Sequence, residues 1–99
     1  MLNSKQRAYL RGLANTLEPI VHVGKGGHSD TIARQADDAL TARELIKGKV
    51  LETAPLTSRE AAETLAQAVN AEVVQVIGRT FVLYRANEKE PQIVLPKKK

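Results

Sequence analysis

The hydrophobic pattern of this chain alternates between the period of a helix and that of a strand, and it closes on two strand-like runs around a short turn. Apolar residues spaced by three and four positions predict helices, and short runs of β-branched residues predict strands. The predicted elements in chain order are a helix over residues 4–17, a strand over 20–23, a helix from Ser29 or Asp30 to Ala42, a strand over 44–52, a helix that begins at Thr57, and strands over 73–77 and 81–85. This order, α-β-α-β-α-β-β, predicts a single α/β domain with one mixed sheet covered by helices, on one face or on both.

Local signals refine the first helix. Ser4 is a candidate N-cap, because a serine hydroxyl accepts a hydrogen bond from the first turn. The spacing of Leu10, Leu13, Ala14 and Leu17 predicts that these four side chains form the buried stripe.

Further signals lie in the second half of the chain. The Thr57-x-x-Glu60 pattern is typical of a capping box at a helix start. Phe81 is expected in the core, and residues 93–95 are expected to add a short edge strand. Gly48 is expected to weaken the strand over residues 44–52, because it contributes no side chain to packing.

Composition limits the compartment and the partners that we expect for this chain. The 99 residues include no cysteine, which excludes disulfides and thiolate zinc sites and suits a reducing compartment. No apolar run approaches the roughly 20 residues of a membrane span, and the N-terminus lacks the apolar centre of a signal peptide. We therefore expect a cytoplasmic protein with no membrane partner. We also expect it to be a monomer. The formal net charge of +4 favours a polyanionic partner.

The glycine-rich run Gly24-Lys25-Gly26-Gly27 lies between a predicted strand and a predicted helix. Such a run either forms a connecting turn with positive φ angles or lets a phosphate approach the backbone at a helix N-terminus. The run lacks the Lys-Ser/Thr pair of a P-loop and the third glycine of a dinucleotide fingerprint. It is closer to the G-x-x-G clamp of KH-type RNA-binding domains.

Four stretches along the chain extend this comparison: SKQRAYLRGLA, LEPIVHVGKGG, ELIKGKV and VVQVIGRTFVLYR. Together they resemble the CRM domain (chloroplast RNA splicing and ribosome maturation) in its stand-alone bacterial YhbY-like form. The resemblance implies a four-stranded sheet with three helices, similar to the C-terminal domain of translation initiation factor three. It also implies RNA binding and association with precursors of the large ribosomal subunit. Residues 1–96 are then the CRM domain, and residues 97–99 a basic disordered tail.

Two positions depart from the pattern that the resemblance implies. His28 stands after the loop where Leu is usual, which is expected to alter how the second helix starts and packs. Gly48 stands where an apolar strand residue is usual, which is expected to loosen the middle strand.

A basic surface is expected around a loop that clamps RNA. The resemblance supports the first helix, with its three basic residues, as part of that surface. Lys47 and Lys49 have the same parity, so they point from one face of their strand. The predicted RNA contacts, made to large-subunit precursor rRNA in a pre-ribosomal particle, are Gly24, Lys25, Gly26, Gly27, Lys5, Arg7, Arg11, Arg34, Lys47, Lys49, Arg79 and Arg85.

Aromatic residues offer little for stacking on bases. Phe81 and Tyr84 have opposite parity in one strand, so they cannot share a stacking platform. Tyr9 on the first helix is the remaining candidate. The sequence therefore favours recognition of the RNA backbone over a code read base by base.

No catalytic constellation is evident. His22 and His28 flank the loop, but with Asp30 as the nearby carboxylate they fall short of the ligands that a metal needs. Asp37 and Asp38 are adjacent, so on a helix they point about 100° apart and do not face each other as an acid–base pair. We therefore expect no cofactor, no metal and no enzyme activity. The alternative functions are a protein-interaction adaptor at the ribosome and a small phosphate-ligand enzyme.

Overall fold

The computed structural model describes residues 2–87, 89 and 91–95, so the predicted disordered tail at residues 97–99 lies outside the described residues. The helices and strands occur in the predicted order. They are α1 (Ser4–Ala14), β1 (Val21–Val23), α2 (Asp30–Arg43), β2 (Leu45–Val50), α3 (Ser58–Val69), β3 (Glu72–Ile77) and β4 (Thr80–Tyr84).

The four strands form one mixed sheet with the spatial order β1-β2-β4-β3. Strands β1 and β2 are parallel and joined by α2, and β4 is antiparallel to both β2 and β3. The helices are divided between the two faces. Helices α2 and α3 pack on one face around Leu40, Leu65 and Phe81, and α1 packs on the other around Leu10 and Tyr84.

Gly48 lies at the centre of the sheet, in the strand that it is expected to weaken. A Cβ atom built there would lie 2.3 Å from Cζ of Phe81. The Phe81 ring, 1 % exposed, therefore occupies the space that a side chain at this position needs. Gly48 allows the largest core side chain to lie against the strand, so its absent side chain is a packing requirement of the fold.

The N-cap of the first helix lies one residue earlier than predicted. Asn3, and not Ser4, is the N-cap: its Oδ1 accepts from the Gln6 backbone N–H at 2.8 Å, and the Gln6 Oε1 accepts from the Asn3 N–H at 3.1 Å. This is a capping box, and Ser4 could not form one because the residue three positions later is Arg7.

The buried stripe of α1 is narrower than predicted. Leu10 and Ala14 are buried, whereas Leu13 is 37 % exposed. The helix ends at Ala14, so Leu17 packs against the α1-side core from outside the helix. The other caps agree with the sequence: Ser29 caps α2, and Thr57 and Glu60 form the predicted box on α3.

The side chain of Glu44, between α2 and β2, is fully buried and holds the C-terminal segment. Its Oε2 accepts from the Asn87 N–H at 2.6 Å, and its Oε1 accepts from the N–H groups of Gln92 and Ile93 at 2.7 Å each. Burial raises the pKa of this carboxyl, but the three backbone hydrogen bonds outweigh burial and hold the pKa below its ordinary value of 4.5.

The expected edge strand over residues 93–95 is not formed. Ile93 donates its N–H to Glu44 instead of to a neighbouring strand, and its side chain packs with Leu95 on the α1-side core. An apolar run that packs on a core without joining a strand ladder leaves the same sequence pattern as a strand, so the pattern does not distinguish the two.

None of the helices within the described residues has both the length and the apolarity that crossing a bilayer requires.

Candidate RNA interface

The Gly24–Gly27 loop is a tight turn that joins β1 to α2. The Gly27 N–H donates to the Gly24 carbonyl at 2.9 Å, and Leu51 donates to the Val23 carbonyl at 2.8 Å. Gly27 is buried, has a φ of +64°, and would place a Cβ 3.1 Å from Cγ of Pro55. Both the backbone angle and the neighbouring proline therefore require glycine at this position.

Gly26 has no comparable structural reason to be glycine. Its φ is not positive, and a Cβ built there would meet no atom within 4 Å. A Cβ built at Gly24 would make only an ordinary contact, 3.4 Å from Cδ1 of Leu51. Lys25 and Gly26 are exposed at the tip of the turn, so their backbone is open to a molecule that approaches from solvent.

The N-terminus of α2 lies shortly after the Gly24–Gly27 loop in the chain. The Ser29 Oγ accepts from the Ile32 N–H at 3.2 Å, and the earlier N–H groups have no partner inside the helix. These groups carry partial positive charge, and exposed Arg34 adds a full charge one turn on. Asp30 in the first turn opposes an anion at the same place.

His28 lies on the surface between the turn and Ser29. Since its side chain is exposed, a polar residue there displaces no core side chain. Helix α2 starts at a regular serine cap, so the departure from Leu has not disturbed the helix start.

Two lysines of β2 extend the basic surface from the loop across the sheet. Lys47 and Lys49 share the α1 side of the sheet, as their parity predicted, and neither is buried. His22, Lys49, Thr80 and Ile77 form one row across all four strands, because their positions are paired in register. The row begins at His22 in β1, two residues before Gly24, so it lies next to the glycine loop.

The turn between β3 and β4 reaches the same end of the sheet. The Arg79 carbonyl accepts from the Val50 N–H at 2.7 Å. The Arg79 guanidinium lies 3.9 Å from a carboxylate oxygen of Glu52, and both side chains are more than half exposed. Such an exposed pair is weak, so Arg79 is available to a stronger anion.

The basic residues of α1 lie over β3, the outer strand. Arg7 donates to the Val73 carbonyl, so part of its guanidinium closes the open edge of the sheet. Arg11 is exposed and, with Arg7 and Arg59 of α3, lines a groove of about 500 Å³ beside β3. Lys5 is exposed on the first turn of α1.

Arg59 was missed from the sequence. In sequence it reads as a solvated helix charge paired with Glu63, and that pair is long, at 3.9 Å, with both side chains more than half exposed. Only the packing of α1 and α3 on opposite faces of one edge strand brings Arg59 to the same groove as Arg11.

The structure does not bring Arg85 together with the other predicted residues. Its guanidinium lies 2.6 Å from the Asp37 carboxylate, and it also donates to the Val69 carbonyl and to Thr41 Oγ1. These bonds tie α2 to the end of α3 at the opposite end of β4 from the turn. Asp37 is thereby a partner of Arg85, and not only part of a solvated acidic face.

The aromatic residues lie as the sequence predicted. Phe81 and Tyr84 are buried on opposite faces of the sheet, and Tyr9 is 43 % exposed on α1. Burial, followed by the charges of Glu44 and Glu72, raises the pKa of the Tyr84 hydroxyl. No group of three or more metal-ligating side chains occurs among residues 2–87, 89 and 91–95.

Comparison with known proteins identifies the family. The chain matches the family model of the CRS1/YhbY (CRM) domain over residues 2–85, and it belongs to that family. It is 44 % identical over 96 residues to a Bacillus subtilis protein named "Probable RNA-binding protein YqeI", covering 97 % of this chain and 100 % of that protein. An "RNA-binding protein" of Haemophilus influenzae is 37 % identical over 97 residues, covering 98 % of this chain and 97 % of that protein.

A solved structure of the same fold is also similar. The solution structure of hypothetical protein SAV1595 from Staphylococcus aureus superposes with a TM-score of 0.81 at 46 % sequence identity. The match covers 97 % of this chain and 100 % of that one. The α/β fold with three helices and a mixed four-stranded sheet is therefore confirmed.

Proposed function

We propose that this protein is a non-catalytic RNA-binding protein that holds the backbone of ribosomal RNA through the Gly24–Gly27 loop during assembly of the large ribosomal subunit. Its membership of the CRM family and the names of its relatives support RNA binding. The choice of large-subunit precursor rRNA, in a pre-ribosomal particle, rests on the family resemblance seen in the sequence.

The contrast between Gly26 and Gly27 carries the assignment of the loop. The fold accounts for Gly27 through its φ of +64° and its contact with Pro55. It does not account for Gly26, which stands in open space beside Lys25. A glycine that folding does not require is explained when a sugar-phosphate chain passes close to the backbone at that point.

The charges around the loop suit an RNA backbone. Lys25, Lys49 and Arg79 approach the same end of the sheet from three different segments, and Arg34 follows on α2. Phosphate contacts of this kind provide affinity without reading sequence. The remaining predicted contacts on α1 widen the surface along the β3 edge.

Reversing the charge at the loop tip is expected to abolish RNA binding while leaving the fold intact. In Lys25→Glu/Gly26→Asp, both new side chains point into open space, so the free energy of unfolding is expected to change by less than about 0.5 kcal/mol. Fluorescence anisotropy with a labelled rRNA fragment, beside thermal melting, measures both effects. Lys89→Glu, which reverses one charge at an exposed site outside the proposed surface, is the control.

Salt separates this proposal from the adaptor alternative. Binding to single-stranded RNA is expected to weaken with a log–log slope of about −0.7 for each phosphate contact. Unchanged RNA binding by the double variant, with the control behaving as wild type, would show that the loop is not the clamp. A partner complex that is insensitive to salt would favour a protein adaptor.

A further inference from the structure

Part of the sheet on the α1 side is left uncovered. Helix α1 ends at Ala14, so it covers Leu45, Val82 and Tyr84 but not the part of β2, β3 and β4 near the turn. A recess of about 210 Å³ opens there, between the end of the helix and the sheet. We call this recess the base recess. The residues that line it include Ala14, Asn15, Lys47, Gln75, Ile77 and Thr80.

An irregularity in β3 aims Gln75 into the base recess. Val73 pairs with Leu83, whereas Gln75 pairs with Val82, so Val74 is an extra residue in the ladder. Val74 is buried in the α1-side core and Gln75 follows it on the same face, although a regular strand would turn Gln75 to the α3 side. Bulges often re-aim a side chain beside a functional site.

Hydrogen-bonding groups in the base recess are unused. The side-chain amides of Asn15 and Gln75 and the ammonium of Lys47 make no hydrogen bond or ion pair within the described part of the chain. Gln75 and Lys47 are nevertheless half-buried. Together the two amides offer both donors and acceptors. Beside them, the side chain of Ile77 is 60 % exposed and supplies an apolar wall.

Size and position suit one nucleobase. The volume is below the roughly 300–1,000 Å³ typical of sites for drug-sized ligands, and it fits a single planar heterocycle. The base recess lies at β4 and β3, which are two and three strand spacings from β1, about 10 Å and about 14 Å. The row that contains His22 and Lys49 connects it to the glycine loop across the sheet.

We propose that the base recess binds one unpaired base of the RNA whose backbone the glycine loop holds, and that Asn15 and Gln75 read the edge of that base. This inference rests on the proposed function and adds sequence selectivity to it. The loop supplies affinity through phosphates, and the base recess distinguishes one base from another by hydrogen bonds.

The test compares binding of ten-nucleotide oligo-A, oligo-C and oligo-U by fluorescence anisotropy at one salt concentration. The wild-type protein is expected to prefer one of the three by about fivefold to a hundredfold. In Asn15→Ala/Gln75→Ala the three affinities are expected to fall within about twofold of one another. Gln35→Ala/Gln67→Ala, which removes two exposed amides on α2 and α3, is the matched control and keeps the preference. Lys25→Glu is expected to weaken all three by a similar factor, and thermal melting checks that each variant is folded.

The outcomes separate the two proposals. Equal binding of the three oligonucleotides by the wild-type protein, or an unchanged preference in Asn15→Ala/Gln75→Ala, would overturn the base recess and leave the proposed function standing. Failure of the wild-type protein to bind any RNA would overturn the proposed function, and the base recess with it.

Discussion

Replacing Glu44 is expected to destabilise the protein by about 3 kcal/mol or more, because three backbone hydrogen bonds to a charged acceptor are lost and each such bond contributes about 1.5–3 kcal/mol. The carboxylate accepts from Asn87, Gln92 and Ile93, and its own exposure is 0 %. Chemical denaturation of Glu44→Ala measures the loss. Release of the C-terminal segment should appear as faster amide exchange at these three residues.

Glycine at the same position is the sharpest control. Glu44 has a φ of +64°, a value that glycine adopts freely and that is unfavourable for glutamate. If the backbone angle dominated, Glu44→Gly would stabilise the protein. Our account expects Glu44→Gly to destabilise it, since the carboxylate is lost. A gain in stability would show that the hydrogen bonds to the C-terminal segment contribute little.

The same carboxylate predicts a pH dependence. Because the pKa of Glu44 in the folded protein lies below its ordinary value of 4.5, its stabilising contribution is present above that value. It is lost as the pH falls from 4.5 through the lowered pKa. Denaturation series at successive pH values should show a smaller loss of stability over this window in Glu44→Gln than in wild type.

Gly48→Ala is the second large effect, with an expected loss of about 1–3 kcal/mol from overpacking. The new Cβ would stand 2.3 Å from Cζ and 2.6 Å from Cε1 of Phe81, so the ring must move. At an unstrained site, alanine in place of glycine would stabilise by about 0.4–1 kcal/mol through the unfolded state. The sign of the change in unfolding free energy therefore distinguishes a packing role from a merely weak strand.

A double-mutant cycle assigns the effect to the ring. Phe81→Leu removes the atoms that the new Cβ would meet, so Gly48→Ala is expected to be much less damaging in that background. Equal effects of Gly48→Ala with and without the ring would contradict this explanation.

The sequence was sufficient for the order of elements, because each has its own local signal. The capping box of α3 and the hairpin around Gly78 are short-range patterns, and both are formed as predicted. The packing role of Gly48, by contrast, has no local signal in the sequence. Its role depends on Phe81, which is distant in sequence and adjacent only across the ladder between β2 and β4.

In the candidate site, too, some features follow from local sequence patterns and others depend on contacts between distant residues. The glycine loop and the shared face of Lys47 and Lys49 follow from local pattern. Arg85 and Arg59 do not, because their surroundings are set by how the helices pack on the sheet. Arg85 is bound by Asp37, and Arg59 meets Arg11 across the edge strand. The direction of the Gln75 side chain depends on an extra residue in β3, and the alternation of side chains in the sequence does not reveal that residue.

Crosslinking by ultraviolet light in cells tests the central claim most directly, when the bound RNA is sequenced and the crosslinked amino acids are located by mass spectrometry. The account predicts crosslinks at the Gly24–Gly27 loop and at the adjoining α1 side of the sheet, to precursor rRNA of the large subunit. Crosslinks confined to the outer surfaces of α2 and α3, or recovery of no RNA, would contradict it.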